Sequence, residues 1–229
     1  MPATDTTLWD YAVSYGGPSL FMTAVFLTVM PLVWFKFARP RLRRWPSRLA
    51  VMLSVWMFAW FIAYGDVLLI AREAKRVCEA EAGLRVYRTV EADGFAGSND
   101  IRKWAARGFR YVEELNEGTN STLYKLVDGN LSVSISEKAI STHEYITVSS
   151  VQPYQIVRRA ELVRSIQSRE VLGERVMFAI PVGWLDRMVT DGLGFRRQPV
   201  WCVDKGVVTS QTSNYLYSEV IEKTLKPKP

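Results

Sequence analysis

The chain has 229 residues and a formal net charge of +6, a length that suits one modest domain plus additional segments. Six of its basic residues are concentrated in one short loop that contains no acid: Lys36, Arg39, Arg41, Arg43, Arg44 and Arg48. The remainder is close to charge-balanced, and no run of basic residues interleaves with aromatic residues there. The composition therefore speaks against a nucleic-acid-binding protein.

Two long apolar runs near the N-terminus predict a transmembrane hairpin. Residues 17–35 contain no charge, and residues 49–71 contain a single acid, Asp66. At about 1.5 Å of rise per residue, each run can span a hydrocarbon core about 30 Å thick. Short loops rich in Lys and Arg stay in the cytoplasm, so the basic loop at 36–48 predicts a periplasmic N-terminal tail, residues 1–16, and a periplasmic C-terminus. The expected location is a bacterial inner membrane, with the lipid bilayer as one partner.

Asp66 is the one acid within these runs, and an ionisable residue in a membrane span is a candidate functional site. It falls about 25 Å along the second predicted helix, near the outer membrane interface. Two interpretations stay open. Asp66 is either a solvated interfacial acid or the polar site of a small ion-conducting or pore-forming protein.

The second predicted helix continues as an amphipathic helical stalk over residues 72–83. Apolar residues recur along one face at the spacing of an α-helix: Val67, Ile70, Ala74 and Val77. Gly83 predicts the end of the helix. The apolar stripe is expected to pack on the following domain rather than on a partner copy.

From Leu84 the apolar period changes to two, which predicts strands. Residues 84–229 are therefore expected to form a mainly antiparallel extramembrane domain, and the chain as a whole an α+β protein that begins with a transmembrane hairpin. Asp128-Gly129-Asn130 predicts a type I′ hairpin turn, and the returning strand places Leu131, Val133 and Ile135 on one face. Strands are predicted near 84–90, 109–115, 122–127, 131–136, 154–166 and 171–180, and short helices near 99–107, 183–189 and 213–223.

Motifs that carry chemistry are largely missing from the sequence. His143 is the single histidine, no G-x-S-x-G elbow supplies a nucleophile, and no H-E-x-x-H, Walker loop or G-x-G-x-x-G occurs. No catalytic residue, metal ligand or cofactor is predicted. Three pairs of carboxylates could serve a hydrolase, although charged strand faces and loops explain them equally well: Glu113 with Glu114, Glu91 with Asp93, and Asp186 with Asp191.

Cys78 and Cys202 are the only two cysteines of the chain. If both lie in an oxidising compartment, they are candidates for a disulfide that ties the end of the stalk to the last third of the domain. By the chain-entropy estimate, a loop of about 125 residues would contribute roughly 4 to 5 kcal/mol. Two independent buried thiols are the alternative.

Several segments occur in a familiar order: a cysteine before GLRVYRTV, then STHEYITV, the hairpin ELVRSIQSREVLGERVMF followed by GWLD, and a late cysteine in PVWC. This order resembles a group of uncharacterised bacterial membrane-associated proteins with no assigned activity, over most of residues 78–202. The chain departs from that pattern at Arg169, where the group has glycine, and at Val203, where it has proline. The resemblance implies that the first and last cysteines pair.

These observations favour a non-enzymatic, membrane-anchored periplasmic domain that binds another protein or a second copy of itself, as an accessory or assembly factor. The edge of its antiparallel sheet could accept a partner strand. A hydrolase of envelope material and a small channel are the alternatives. An exposed apolar patch would favour the first hypothesis, and a deep pocket with converging carboxylates the second.

Overall fold

The structure is a computed structural model that describes residues 27–28, 31–32, 45–116, 120–184, 187–188, 200–204, 207–209 and 216–228. Residues 27–28 and 31–32 are helical. The further elements are, in chain order, α1 (Trp45–Glu81), β1 (Gly83–Val86), β2 (Val90–Ala92), β3 (Gly94–Ala96), α2 (Ile101–Ala105), β4 (Tyr111–Leu115), β5 (Ser121–Val127), β6 (Asn130–Ser136), β7 (His143–Val151), β8 (Val157–Ser165), β9 (Val171–Ile180), β10 (Val200–Asp204), β11 (Val207–Thr209), α3 (Leu216–Thr224) and β12 (Leu225–Pro227).

Ten of the described strands form one sheet, in the order β11-β10-β9-β8-β7-β3-β4-β5-β6. β1 pairs with β9 beside β10, and β12 pairs with β2 in a separate parallel pair. Most neighbours are antiparallel, but β3 is parallel to both β4 and β7. The link between β3 and β7 is a single residue pair, Ala96 with Glu144, so two antiparallel halves meet at this point.

Helices cover both faces of the sheet. α1 packs on one face, where its residues form a core cluster with Ala160, Val176 and Phe178. α2 and α3 cover the other face, where Trp104 and Val220 join a second cluster. β8 supplies residues to both clusters, Ala160 to the first and Val163 to the second, because successive side chains point to opposite faces of a sheet.

The apolar stripe predicted along the amphipathic part of α1 packs against the sheet. Val67, Ile70, Ala74 and Val77 are all buried, and Ala74 is fully inaccessible. The helix ends at Glu81, and Gly83 follows with a φ of 120°, a conformation that glycine adopts without strain. The predicted helix end and packing of the stripe within the domain agree with this arrangement.

The predicted transmembrane hairpin, and with it the assignment to an inner membrane with both termini in the periplasm, is wrong. Across the part of the chain that the structure describes, no helix is long and apolar enough to cross a membrane. Part of the physical reason is that residues at the end of the second apolar run belong to the protein core. Ile70 and Ala71 are core-facing residues of α1, buried by the sheet, and Val67 is buried as well. The first half of α1 carries exposed apolar side chains: Leu53, Val55, Met57, Phe58, Phe61 and Ile62.

Several local predictions agree with the structure, and others do not. The hairpin predicted at Asp128-Gly129 is present, and the strands predicted at 171–180 and near 154–166 match β9 and β8. The short helix predicted at 99–107 is shorter, and its N-cap is Asp100, whose Oδ1 accepts a hydrogen bond from the Lys103 N–H. The parallel strands β2, β3 and β12 were not predicted, because three-residue strands have too little periodicity to detect. The molecule is a mainly β domain, whereas the sequence predicted an α+β chain led by a membrane hairpin.

Candidate functional site

The most distinctive surface of the domain is the outer side of β6, which stands at one end of the sheet order. β5 and β6 form a two-residue hairpin around Asp128 and Gly129, whose φ angles of 51° and 80° fit a type I′ turn. In such a hairpin Val127 and Asn130 exchange hydrogen bonds, and bonded and non-bonded pairs alternate along the strands from there. Even-numbered residues of β6 therefore bond to β5.

The odd-numbered residues of β6 direct their backbone groups outward. Leu131, Val133 and Ile135 each present one N–H and one C=O on the side away from β5. No strand pairs with that side anywhere in the described chain. We call these six backbone groups, together with the side chains of the same three residues, the β6 edge.

The side chains of the β6 edge are apolar and exposed. Leu131 is 50% exposed, Val133 52% and Ile135 78%. They lie opposite Leu126, Tyr124 and Thr122 of β5, respectively. Because Tyr124 and Leu126 pack on the second core cluster, the β6 edge continues the apolar face of the sheet into an exposed position.

The β6 edge has none of the features with which proteins protect a terminal strand. Such strands are commonly short, charged, interrupted by proline or distorted by a bulge. β6 has seven residues, NLSVSIS, without a charge or a proline, and its register with β5 is uninterrupted. A long, regular and uncharged edge is suited to pairing with another strand.

A second, less apolar edge occurs on β7. β7 pairs with β8 along its whole length but with β3 only at Glu144. Beyond that point Thr147, Ser149 and Val151 face outward and are exposed. The separation of the two half-sheets opens a cleft of about 320 Å³ lined by Gly97, Glu114, Leu115, Glu144, Tyr145 and Ile146.

A larger cleft, of about 450 Å³, lies beside β3 and β4 and contains Asp93, Arg110 and Lys228. The Lys228 Nζ lies 2.8 Å from one Asp93 oxygen and the Arg110 Nη1 lies 3.1 Å from the other. The hydrogen bond from Lys228 holds the pKa of Asp93 below its ordinary value. Asp93 is thus an ionised partner in an ion-pair cluster, and this is not the environment of a general acid.

The most perturbed carboxyl group is that of Glu161, which is fully buried on β8 beneath α3. It lies directly opposite Arg175 of β9, which in turn pairs with Glu219 of α3 at 2.5 Å. Burial raises the pKa of Glu161 to about 7 against the opposing charges of Arg159 and Arg175. Burial, together with Glu161, also raises the pKa of Tyr145 to about 12. The ion pair of Arg175 with Glu219 connects the sheet to α3, and Glu161 lies buried beside it.

Glu113 is a second fully buried carboxyl, and its role is to fix a loop. It accepts hydrogen bonds from the Ser121 hydroxyl at 2.5 Å and from the backbone N–H groups of Ile140 and Ser141. These bonds outweigh the opposing effect of desolvation and lower its pKa. The segment after β6 is thereby held against β4.

Of the carboxylate pairs considered for a hydrolase, Glu113 and Glu114 take part in separate hydrogen bonds. Glu113 is buried and bonded as described, whereas Glu114 accepts a hydrogen bond from the Tyr124 hydroxyl at 2.9 Å. Glu91 and Asp93 line the larger cleft with its cations. Asp186 and Asp191 lie outside the described residues.

Cys78 and Cys202 are brought together at the C-terminal part of α1, as the sequence analysis expected. They form a disulfide between α1 and β10, with Cα atoms 6.1 Å apart. Both side chains are buried within the first core cluster. The bond ties the helix to a strand 124 residues later.

Asp66 takes part in a hydrogen bond between two segments of the domain. Its Oδ2 accepts a hydrogen bond at 2.6 Å from the backbone N–H of Trp184, and the Trp184 indole donates to the Ile62 carbonyl at 3.0 Å. Asp66 therefore anchors the segment that follows β9 to α1. The first predicted membrane helix lies almost wholly outside the described residues, as do Lys36, Arg39, Arg41, Arg43 and Arg44; Arg48 lies in α1.

His143 begins β7, and its Nδ1 lies 2.9 Å from the Thr142 hydroxyl. Burial lowers its pKa, and the charge of Lys228 acts in the same direction. No group of three or more metal-ligating side chains occurs within the described ranges. His143 therefore has no neighbours there with which to form a metal centre.

Comparison with protein-family models, with curated proteins and with solved structures finds no match to this chain. The resemblance to uncharacterised bacterial membrane-associated proteins stays a prediction. The structure does give a physical account of one departure from that pattern. Arg169 has a φ of 60°, a conformation that favours glycine, and its guanidinium binds Glu144 at 3.1 Å.

The sequence pattern placed Leu131, Val133 and Ile135 on one face, but it did not identify β6 as a terminal strand. The position of a strand in a sheet depends on the pairing of distant segments, and alternation within the strand carries no information about it. One signal was available. Serine alternates with apolar residues in LSVSIS, and a strand that is apolar on one face and small and uncharged on the other lacks the charges expected on a solvated face.

Proposed function

We propose that this protein is a protein-binding module, acting as an accessory or assembly factor, that pairs an extended segment of a partner with the β6 edge. The observation that carries the proposal is the combination of three outward-facing residues, all apolar and exposed, on a long strand with no protective feature. Pairing would satisfy six backbone groups, and alternate side chains of the added strand would contact the apolar face.

The chemistry of the site defines the class of partner. β6 carries no charge, so the added segment would be recognised by backbone hydrogen bonds and by apolar residues at every second position. A segment rich in prolines, or charged at those positions, would be rejected. The hydrolase alternative has little support among the described carboxylates, because Glu113 and Glu114 are engaged in hydrogen bonds and Asp93 in ion pairs.

The experiment uses a short fluorescent peptide in which valine or isoleucine alternates with serine and a lysine stands at each end. We expect it to bind the full chain in fluorescence anisotropy. The matched peptide control has alternate backbone amides N-methylated, which blocks one edge without changing the side chains. We expect that control to bind at least about tenfold more weakly, because each lost hydrogen bond contributes about 1 kcal/mol.

The matched protein variants place proline on the β6 edge and on the exposed part of β7. Val133→Pro removes an outward N–H of the β6 edge, and Val151→Pro does the same on β7. We expect Val133→Pro to abolish peptide binding and Val151→Pro to leave it unchanged. Equal affinity of both peptides, or loss of binding only in Val151→Pro, would show that the β6 edge is not the site.

A further inference from the structure

We propose that the strand that pairs with the β6 edge is β6 of a second copy of this chain, running antiparallel and centred on Val133. This inference rests on the proposed function, because it names the partner of the same surface. The two sheets would then join into one continuous sheet around a two-fold axis.

The backbone of β6 is complementary to itself in this arrangement. With Val133 opposite Val133 of the second copy, Leu131 lies opposite Ile135 and Ile135 opposite Leu131. All three outward-facing residues of each strand then meet outward-facing residues of the other. A shift by one residue sets outward groups against inward ones, and a shift by two leaves one outward residue of each copy unpaired.

The side chains are complementary in the same register. Directly opposite residues of an antiparallel pair share a face. The exposed apolar residues therefore meet one another, Leu131 with Ile135 and Val133 with its own copy. On the other face, Ser132 lies opposite Ser134 of the second copy. No apolar side chain faces a polar one, so pairing removes exposed apolar surface from water without burying an unpaired charge.

β6 carries no charge along its seven residues, so two copies can pair in this register without placing like charges opposite each other. The nearest charged residues are Asp128 in the turn and Glu137 and Lys138 beyond the strand, and all three lie outside the paired residues. A foreign segment would have to match the uncharged, alternating apolar pattern of β6, which a second copy of β6 does by its own sequence.

Sedimentation velocity of the full chain over a range of concentrations tests the dimer. Because one pair of strands makes a small interface, we expect a Kd on the order of micromolar. Val133→Lys places a charge at the centre of the β6 edge, and we expect it to raise the dimer Kd at least about tenfold. Val151→Lys, which places the same charge on the β7 edge, is the matched control and should leave the Kd unchanged.

Cysteine cross-linking under mild oxidation tests the register. Because opposite Cα atoms are about 5.5 Å apart, a cysteine pair can form there. Val133→Cys should give a covalent dimer by itself. Leu131→Cys and Ile135→Cys should not do so alone, but the two variants mixed should cross-link to each other. The two native cysteines are disulfide-bonded to each other and do not interfere.

The outcomes separate this inference from the proposed function. A monomer at all concentrations, or efficient cross-linking of Leu131→Cys alone, would overturn the dimer centred on Val133. If the synthetic peptide still binds that monomer at β6, the protein-binding proposal stands. If the monomer also fails to bind the peptide, both are wrong. A dimer that Val133→Lys leaves intact would overturn the dimer inference, since its interface would lie elsewhere.

Discussion

Val133 lies directly opposite Tyr124 across the last two strands of the sheet. Tyr124 packs on the second core cluster, whereas Val133 is 52% exposed. One apolar row is thus half covered by the domain and half left open, at the position where backbone hydrogen-bonding groups are also unpaired by any described strand.

The alternation of hydrogen bonds in β6 can be tested by proline substitution. Val133→Pro removes an N–H that points outward, so we expect the free energy of unfolding of the monomer to fall by less than about 1 kcal/mol. Ser134→Pro removes an N–H that bonds to Leu123, and we expect a loss of about 3 kcal/mol. Urea unfolding followed by circular dichroism measures both. Equal losses would mean that the assignment of inward and outward groups is wrong.

The buried carboxyl of Glu161 predicts a pH dependence of stability. Folding raises its pKa from 4.5 to about 7, so between these values the folded chain holds a proton that the unfolded chain has released. The free energy of unfolding therefore falls as pH rises from about 4.5 to about 7, by up to about 3 kcal/mol from this group. In Glu161→Gln this contribution disappears.

The difference in unfolding free energy between Glu161→Gln and the unaltered chain isolates the contribution of Glu161 to the pH dependence. His143, whose pKa is lowered by burial, acts with the opposite sign and is present in both proteins. We expect the variant to gain in relative stability as pH rises through this window, as measured by urea unfolding at a series of pH values. Parallel pH profiles of the two proteins would contradict the buried, protonated state of Glu161.

The disulfide between Cys78 and Cys202 closes a long loop, with a sequence separation of 124. Replacing both residues by alanine should lower the free energy of unfolding by roughly 4 kcal/mol, because the unfolded chain gains conformational entropy. Denaturant unfolding of the oxidised protein, the reduced protein and the double variant makes the comparison. Identical midpoints for oxidised and reduced protein would show that the bond contributes nothing.

The turn between β8 and β9 holds Arg169 at a φ of 60° while its guanidinium binds Glu144, which also binds Arg164 at 2.6 Å. Arg169→Ala removes the ion pair and keeps the unfavourable backbone conformation. Arg169→Gly removes both, and we expect it to be more stable than Arg169→Ala by about 1 kcal/mol. Thermal unfolding of the two variants measures the difference. If the alanine variant is the more stable, the backbone at this position is not strained.

The sequence predicted local structure better than it predicted which distant segments pack against each element. The I′ turn at Asp128-Gly129 and the apolar stripe of α1 follow from spacing and turn chemistry within a few residues, and both are present. The location of Glu161 beneath α3 and the position of β6 at the end of the sheet depend on strands far apart in the chain. Sequence periodicity contains no record of those pairings.

The membrane prediction was wrong in part for a related reason. An apolar run and a core-facing helical stripe have the same composition where they overlap, as they do at Ile70 and Ala71. The sheet that buries these residues lies about 100 residues later in the chain. The disulfide pairing, by contrast, could be anticipated, because a chain with two cysteines permits only one intramolecular bond.

Amide hydrogen exchange along β6, measured by NMR with and without the alternating peptide, tests the central claim most directly. The β6 edge predicts that peptide slows exchange at Leu131, Val133 and Ile135, whose N–H groups point outward. Ser132 and Ser134, which already bond to β5, should change little. A uniform change along the strand, or exchange at the three outward amides that the peptide leaves unaltered, would contradict the pairing of a partner strand at the β6 edge.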